Sequence, residues 1–408
     1  MRYYPGRFLS FGVFGICATL PLYILRFKIF GIPTTFLEIS ILMLFVIWFF
    51  EKVYITKKWF KCFNLESFSL PIVFFLLIAT FSSLTSFNTN GALGILKAYF
   101  LEPALLFIVV RDRIKLGDGK FVFSGLIVAA TWLACFAIFQ KLTGLGFPEY
   151  AANEISQGRV VAVYNSANSL ALFLGPILVL CFGWIFARDK TVKNQPYVIL
   201  VIVSLLLQLI AIFLTKSQAG IIATILVLGF IFLTNFFSFR INLILFKFLA
   251  VSGLALVVLL PLAAYFGVNF GALLGDVTLE NRSYLWRGAI ALVRDKPLTG
   301  AGLSGFREFY GANYRLPGYD ELLQYPHNLI LNFWTEIGFF GVIGFFWLLF
   351  NFFSKSIKNQ FFKVSLLGVI LYILIHGIVD VPYFKNDLSA QFFILLALSE
   401  FSKKKIPQ

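Results

Sequence analysis

The stretch YVILVIVSLLLQLIAIFLT, residues 197–215, runs from Tyr197 to Thr215 without a charged residue. At 1.5 Å per residue such a run measures about 30 Å as a helix, the thickness of a bilayer's hydrocarbon core. Its apolar residues are continuous, whereas a membrane β-barrel strand alternates apolar and polar side chains. Only these two structures satisfy every backbone group within lipid, so the run reads as a spanning helix. Similar runs fall near 8–25, 30–50, 67–87, 91–110, 121–142, 167–187, 219–237, 242–266, 329–353, 364–384 and 388–402. The prediction is an all-α polytopic membrane protein with about twelve transmembrane helices, one integral membrane domain over 1–408. The connections around 26–29, 216–218 and 385–387 are short hairpins.

Composition agrees. The chain is 60% hydrophobic and 13% charged, with 52 phenylalanines and a mean hydropathy of +0.88. Soluble domains carry roughly 25% charged residues. The formal charge of +15 does not indicate nucleic acid, because the basic residues form short clusters between apolar runs, as the positive-inside rule produces. Cys17, Cys62, Cys135 and Cys181 lie in or beside apolar runs and offer neither metal-ligand spacing nor a disulfide framework. Residues 8–25 follow Arg2 and Arg7 as in a signal peptide, but they lack a small-residue cleavage site and read as an uncleaved first helix.

Alternate connections differ in basic content. One set holds Lys52, Lys57, Lys58 and Lys61; Arg111, Arg113, Lys115 and Lys120; Arg188, Lys190 and Lys193; Arg240 and Lys247; Lys355, Lys358 and Lys363; and Lys403 to Lys405. With Arg2 and Arg7 these are 21 of 34 basic residues. This side is expected to be cytoplasmic, with both termini. Residues 143–166 and 267–328 are then extracytoplasmic loops, the second large and partly helical. ATP is scarce there, so an enzyme on that face needs a substrate already activated, as lipid-linked sugars are.

The 267–328 interval carries Arg282, Trp286, Arg287, Arg294 and Arg307, with Asp276, Glu280 and Asp295, and one of the chain's two histidines, His327. In Asn281 to Arg294, Trp286, Ile290 and Val293 share a helical face, and Arg282 stands one turn earlier on it. It reads either as an arginine snorkelling over an interfacial helix or as a clamp for phosphate oxygens. Lys296-Pro297 ends the helix. Gly300-Ala-Gly302-Leu-Ser-Gly305 spells G-x-G-x-x-G without a preceding strand or βαβ unit, so it reads as a tight turn and not a dinucleotide loop. His327 and Asn328 open the next helix. An imidazole there is suited to take a proton from an attacking hydroxyl, and Glu336 follows in the same run.

In the 143–166 loop, Arg159 is read either as solvated or as meeting the same anion as Arg282. Asn165, an N-cap candidate, and Asn168 lead into a helix. Lys216 sits in a turn where a lipid phosphate would meet it. Glu38, Lys97, Glu102, Glu336, His376 and Asp380 fall inside apolar runs and need partners. His376 with Asp380 at i, i+4, and Lys97 with Glu102, are the candidate pairs.

Gly158-Arg159 through Asn168, Ser217-Gln-Ala-Gly220, Arg282-Ser-Tyr-Leu-Trp286, Pro297-Leu-Thr-Gly-Ala-Gly302, and His327-Asn328 through Glu336-Ile-Gly338 occur in this order. Together they resemble the O-antigen ligase and polymerase family of bacterial membrane glycosyltransferases. The resemblance covers roughly residues 150–380 by motif. It implies a GT-C-like helical fold in the bacterial cytoplasmic (inner) membrane. The implied reaction transfers glycan from an undecaprenyl-diphosphate carrier to an acceptor hydroxyl on a glycan, lipid or protein, without metal, nucleotide or other cofactor. Arg159 and Arg282 resemble the family's diphosphate-binding arginines, and His327 its essential loop histidine. Related sequences often carry arginine where this chain has Gln218.

The resulting assignment makes His327 and Arg282 catalytic. Arg159, Arg282, Arg287 and Lys216 bind diphosphate, and Asn328, Trp286, Asn168 and Glu336 support them. A polysaccharide polymerase of the same family is the alternative, and a lipid or polysaccharide transporter the alternative from another class. Transporters usually concentrate polar residues at the bilayer midplane, in broken helices. The sugar, the acceptor and the oligomeric state are not written in the sequence.

Overall fold

A computed structural model describes residues 5–55, 57, 66–187, 195–234, 239–316, 322–354 and 360–400. Cys62 and much of the basic set (Arg2, Lys58, Lys61, Arg188, Lys190, Lys193, Lys355, Lys358 and Lys403 to Lys405) lie outside the described residues. Of the described residues 79% are helical. Among them eight helices are long and apolar enough to cross a membrane, so the protein is an all-α polytopic membrane protein.

The order begins with α1 (Pro5–Thr19), a short hairpin of β1 (Arg26–Ile29) and β2 (Ile32–Thr35), and α2 (Phe36–Phe50). Next come α3 (Ser69–Leu84), α4 (Thr89–Ile95), which passes through a π-turn into α5 (Glu102–Leu116), and α6 (Gly119–Thr143). After the small α7 (Ala152–Ser156) follow α8 (Ala167–Ala187), α9 (Gln195–Leu214), α10 (Gln218–Leu233) and α11 (Phe239–Tyr265). The polar interval contributes α12 (Phe270–Leu274), α13 (Val277–Asp295) and α14 (Phe306–Phe309). The chain closes with α15 (Leu329–Ser354), α16 (Gln360–His376) and α17 (Asn386–Leu398). In the bundle α16 packs on α8, α1 and α9 on α6, α17 on α5, and α15 on α3.

Each of the twelve apolar runs contains a helix, but not always with the expected bounds. The 30–50 run opens as the hairpin, and its helix starts where Thr35 Oγ1 accepts the Glu38 N–H. The 364–384 run is helical only to His376. Val381, Tyr383 and Phe384 beyond it are buried in a non-helical turn that contains Pro382, so hydropathy alone reads straight through the helix end. Helices α10, α17 and the described part of α16 (Phe362–His376) are apolar but shorter than the eight spans.

The polar interval is built on an apolar core of its own. Leu285, Trp286, Ala289 and Leu292 of α13 pack with Ala264, Phe306, Tyr310 and Leu331. Asp276 caps α13 by accepting the Leu279 N–H at 3.0 Å, which sets the start of the helix four residues before Asn281. Beyond α13, residues 297–305 wedge against a break in α15, where Ile337 and Gly338 leave helical geometry. The wedge satisfies groups that the break frees. Ala301 N–H donates to Thr335 O at 2.7 Å and Phe339 N–H to Pro297 O at 3.2 Å. Gly300 and Gly338 have positive φ, and a Cβ would lie 2.3 Å from Thr335 O at the first and 1.9 Å from Leu298 O at the second. The glycine-rich string is therefore a turn requiring close backbone approach.

Candidate functional site

Arg159 is held by three groups. Its Nε donates to Thr215 O at 2.7 Å, one terminal nitrogen donates to Asn168 Oδ1 at 2.8 Å, and the other lies 2.9 Å from Glu154 Oε2. Asn168 thus supports Arg159 directly. The N-cap of α8 is Ser166 and not Asn165, since Ser166 Oγ accepts the Ser169 N–H at 3.3 Å. Lys216, exposed and at φ +52, donates to Gln157 O at 2.6 Å, and Lys141 donates to Gly158 O at 3.3 Å. Two lysines therefore flank the loop that carries Arg159.

Arg282 is different. It is half-buried on α13 and makes no hydrogen bond or ion pair with a described residue. Burial pulls its pKa below the usual guanidinium value; the carboxylates of Asp380 and Asp276 oppose that shift and Arg159 adds to it. A guanidinium does not deprotonate in proteins, so it remains a cation short of a partner, within electrostatic reach of Arg159 and Asp380.

His327 precedes α15 at φ +50, a conformation uncommon outside glycine. Its Nδ1 lies 3.2 Å from Asp380 Oδ1. Burial would raise the Asp380 pKa, but the His327 hydrogen bond and the charges of His327, Arg282 and His376 hold it well below the usual carboxylate range. Asp380 is in the turn after α16, so its partner is His327 and not His376; His376 Nδ1 lies 3.3 Å from Tyr372 Oη instead. Asn328 fixes the corner. Its Nδ2 donates to Val257 O at 2.8 Å and Ile378 O at 2.9 Å, and its Oδ1 accepts the Leu331 N–H. One amide thereby ties α11, α15 and the Asp380 turn together.

The other candidates have structural partners. Arg287 Nε donates to Ala264 O at 2.6 Å, at the C-terminal end of α11, on a face about 140° around α13 from Arg282. Trp286 is fully buried in the α13 core. Glu336 Oε2 accepts the Ser304 N–H at 2.6 Å and Glu336 O accepts from Ser82 Oγ, so this carboxylate anchors the wedge. Lys97 pairs with Glu38 at 2.8 Å rather than with Glu102, and Asn386 Nδ2 donates to the other Glu38 oxygen at 2.9 Å.

Lys385 was missed as a site residue because the sequence places it in an unremarkable turn. It donates to Ser169 Oγ, next to Asn168. Burial lowers its pKa, with the Asp387 and Asp380 carboxylates opposing. Arg159, Asn168, Lys385, Asp380, His327 and Arg282 thus share one neighbourhood. An apolar cavity of about 350 Å³, lined by Val257, Pro261, Ile290, Arg294, Asn328 and Leu331, begins beside this corner. The arrangement offers an oriented imidazole, cations for an anionic group, and an apolar slot adjacent to them.

Residues 203–346, which include Arg282, His327 and the wedge, match the family model described as O-antigen ligase. Over that segment the chain is similar to the O-antigen ligases. No curated protein matches it. The family points to a glycosyl-transferring enzyme of the membrane; Arg159, Lys385 and Asp380 lie outside the matched segment.

Proposed function

We propose that the protein transfers glycan from an undecaprenyl-diphosphate carrier to an acceptor hydroxyl, at the extracytoplasmic face of the cytoplasmic membrane, with both termini inside. The observation that carries this reading is the uncommitted guanidinium of Arg282, half-buried within reach of Arg159 and the His327–Asp380 pair. A buried cation lacking a partner is costly, and a departing diphosphate would supply one.

Asp380 holds Nδ1 of His327, leaving Nε2 to take the proton of the acceptor hydroxyl. The acceptor oxygen attacks the anomeric carbon as the bond to the diphosphate oxygen breaks, and the diphosphate leaves with that electron pair. Arg282, Arg159 and Lys385 neutralise its growing charge. Such stabilisation is worth ~10²–10³ in rate per donor removed, and general-base work about 10²–10⁴. The carrier's tail enters the apolar cavity beside Asn328. Arg287 has no part in this scheme, because it leaves α13 about 140° around the helix from Arg282 and reaches the end of α11 instead.

The broken helix α15 is also a transporter feature. Here, however, the backbone groups at the break are met by residues 297–305 rather than facing an open midplane site, which favours the enzyme. The test is transfer in vitro with purified protein, an undecaprenyl-diphosphate glycan and candidate acceptors, following free undecaprenyl diphosphate. Its appearance with glycosylated acceptor is expected; an intact donor with every acceptor would overturn the proposal.

A further inference from the structure

A second cavity, of about 400 Å³, lies under the β1–β2 hairpin, between it, the start of α4 with its π-turn, and Asn386. Its charged lining is three cations, Arg26, Lys28 and Lys97, and one carboxylate, Glu38. Glu38 is already neutralised by Lys97 and hydrogen-bonded by Asn386 and Thr34. Arg26 and Lys28 are exposed, and their side chains make no hydrogen bond or ion pair with a described residue. Two residues apart on β1, they leave the strand on the same face. The cavity therefore has two spare positive charges, a polar floor at Glu38 and Asn386, and an aromatic wall at Tyr99.

This cavity adjoins the candidate site without sharing its lining. Lys385, next to Asn386, is within electrostatic reach of both Arg26 and Asp380. Gly91, on the cavity wall, packs so closely on Ser304 of the wedge that a Cβ would lie 2.8 Å from its Oγ. Tyr99 lies within electrostatic reach of Tyr325, two residues before His327. A transferase needs a second volume for its second substrate, beside the base and apart from the leaving group.

We infer that the cavity under the hairpin binds the acceptor, and that the acceptor is an anionic saccharide, carrying a carboxylate or phosphate. Arg26 and Lys28 take the anion, the Glu38–Asn386 floor meets hydroxyls, and the Tyr99 ring meets the C–H face of a sugar. The word acceptor rests on the proposed function; the binding site does not.

Isothermal titration of the full-length protein in phosphatidylcholine nanodiscs reads the site directly, with trigalacturonate as probe and maltotriose as neutral control. The anionic trisaccharide is expected to bind at least about tenfold more tightly, the size of one charge-assisted hydrogen bond. Arg26→Gln/Lys28→Gln abolishes that preference and Arg282→Gln leaves it intact. Equal binding of both sugars, or a preference unaffected by the double substitution, overturns the inference. Nanodiscs containing phosphatidylglycerol separate the two sources of anion. Trigalacturonate binds in both lipids if the site takes saccharide, and displacement by the anionic lipid makes it a headgroup site and sinks the proposal. In transfer assays Arg26→Gln raises KM for an anionic acceptor and leaves donor KM unchanged; a shift in donor KM alone would contradict the acceptor role. A failure of the donor reading appears as absent transfer with the titration unchanged.

Discussion

His327 Nδ1 and Asp380 Oδ1 lie 3.2 Å apart, across 53 residues of sequence. The pair joins the polar interval to the turn after α16 and sets which imidazole nitrogen is left to face substrate. Asp380→Asn keeps the shape of the contact and removes its charge. The account predicts a fall in transfer of about 10²–10⁴ with donor KM little changed, measured at saturating acceptor.

The same carboxylate gives a pH prediction. Its folded pKa is depressed, so the stability it contributes is present above the unfolded value of about 3.9 and is lost as pH falls through the folded value. The difference in Tm between wild type and Asp380→Asn should therefore shrink as pH is lowered from 5 through about 3.9. A difference that stays constant over that window would show that the Asp380 pKa is not depressed in the folded protein.

Lys385 is predicted to bind donor. Lys385→Met raises KM for the lipid-diphosphate donor by roughly tenfold to a hundredfold, the weight of a hydrogen bond to a charged group, and Lys385→Arg restores much of it. Steady-state kinetics in donor concentration check this; an effect confined to kcat would remove Lys385 from the cradle.

Much of this was legible in the sequence, and what was not has identifiable causes. Continuous apolar runs located the helices because lipid requires them, and His327-Asn328 opens α15 where the sequence places it. The end of α16 was not legible, because Val381 to Phe384 are apolar in a buried turn as they would be in a helix. That error concealed the true partner of Asp380, since i, i+4 spacing implied His376. Lys385 and the Glu38–Lys97 pair depend on contacts between segments hundreds or tens of residues apart, for which one sequence holds no signal. Arg287 shows the reverse case: its residue type fits a phosphate clamp, and only packing reveals that it caps α11.

The wedge makes a structural prediction. Gly338→Ala places a Cβ 1.9 Å from Leu298 O at φ +71, adding a backbone penalty of roughly 1–3 kcal/mol to a clash that neither backbone can relieve. Thermal unfolding in detergent should show a lowered Tm together with lost transfer. Wild-type stability would mean that residues 297–305 do not sit against the break.

Because guanidinium and ammonium groups supply the positive charge in this scheme, transfer should persist in EDTA. Loss of activity on chelation, restored by magnesium or manganese, would assign part of that charge to a metal ion.

The central claim is that Arg282 meets charge developing on the departing diphosphate, and single-turnover transfer by Arg282→Gln at saturating donor and acceptor tests it most directly. The account predicts a rate lower by ~10²–10³ in a protein whose Tm is no lower than wild type, because the residue removed is a half-buried cation without a partner. Transfer at the wild-type rate in that folded variant would contradict it.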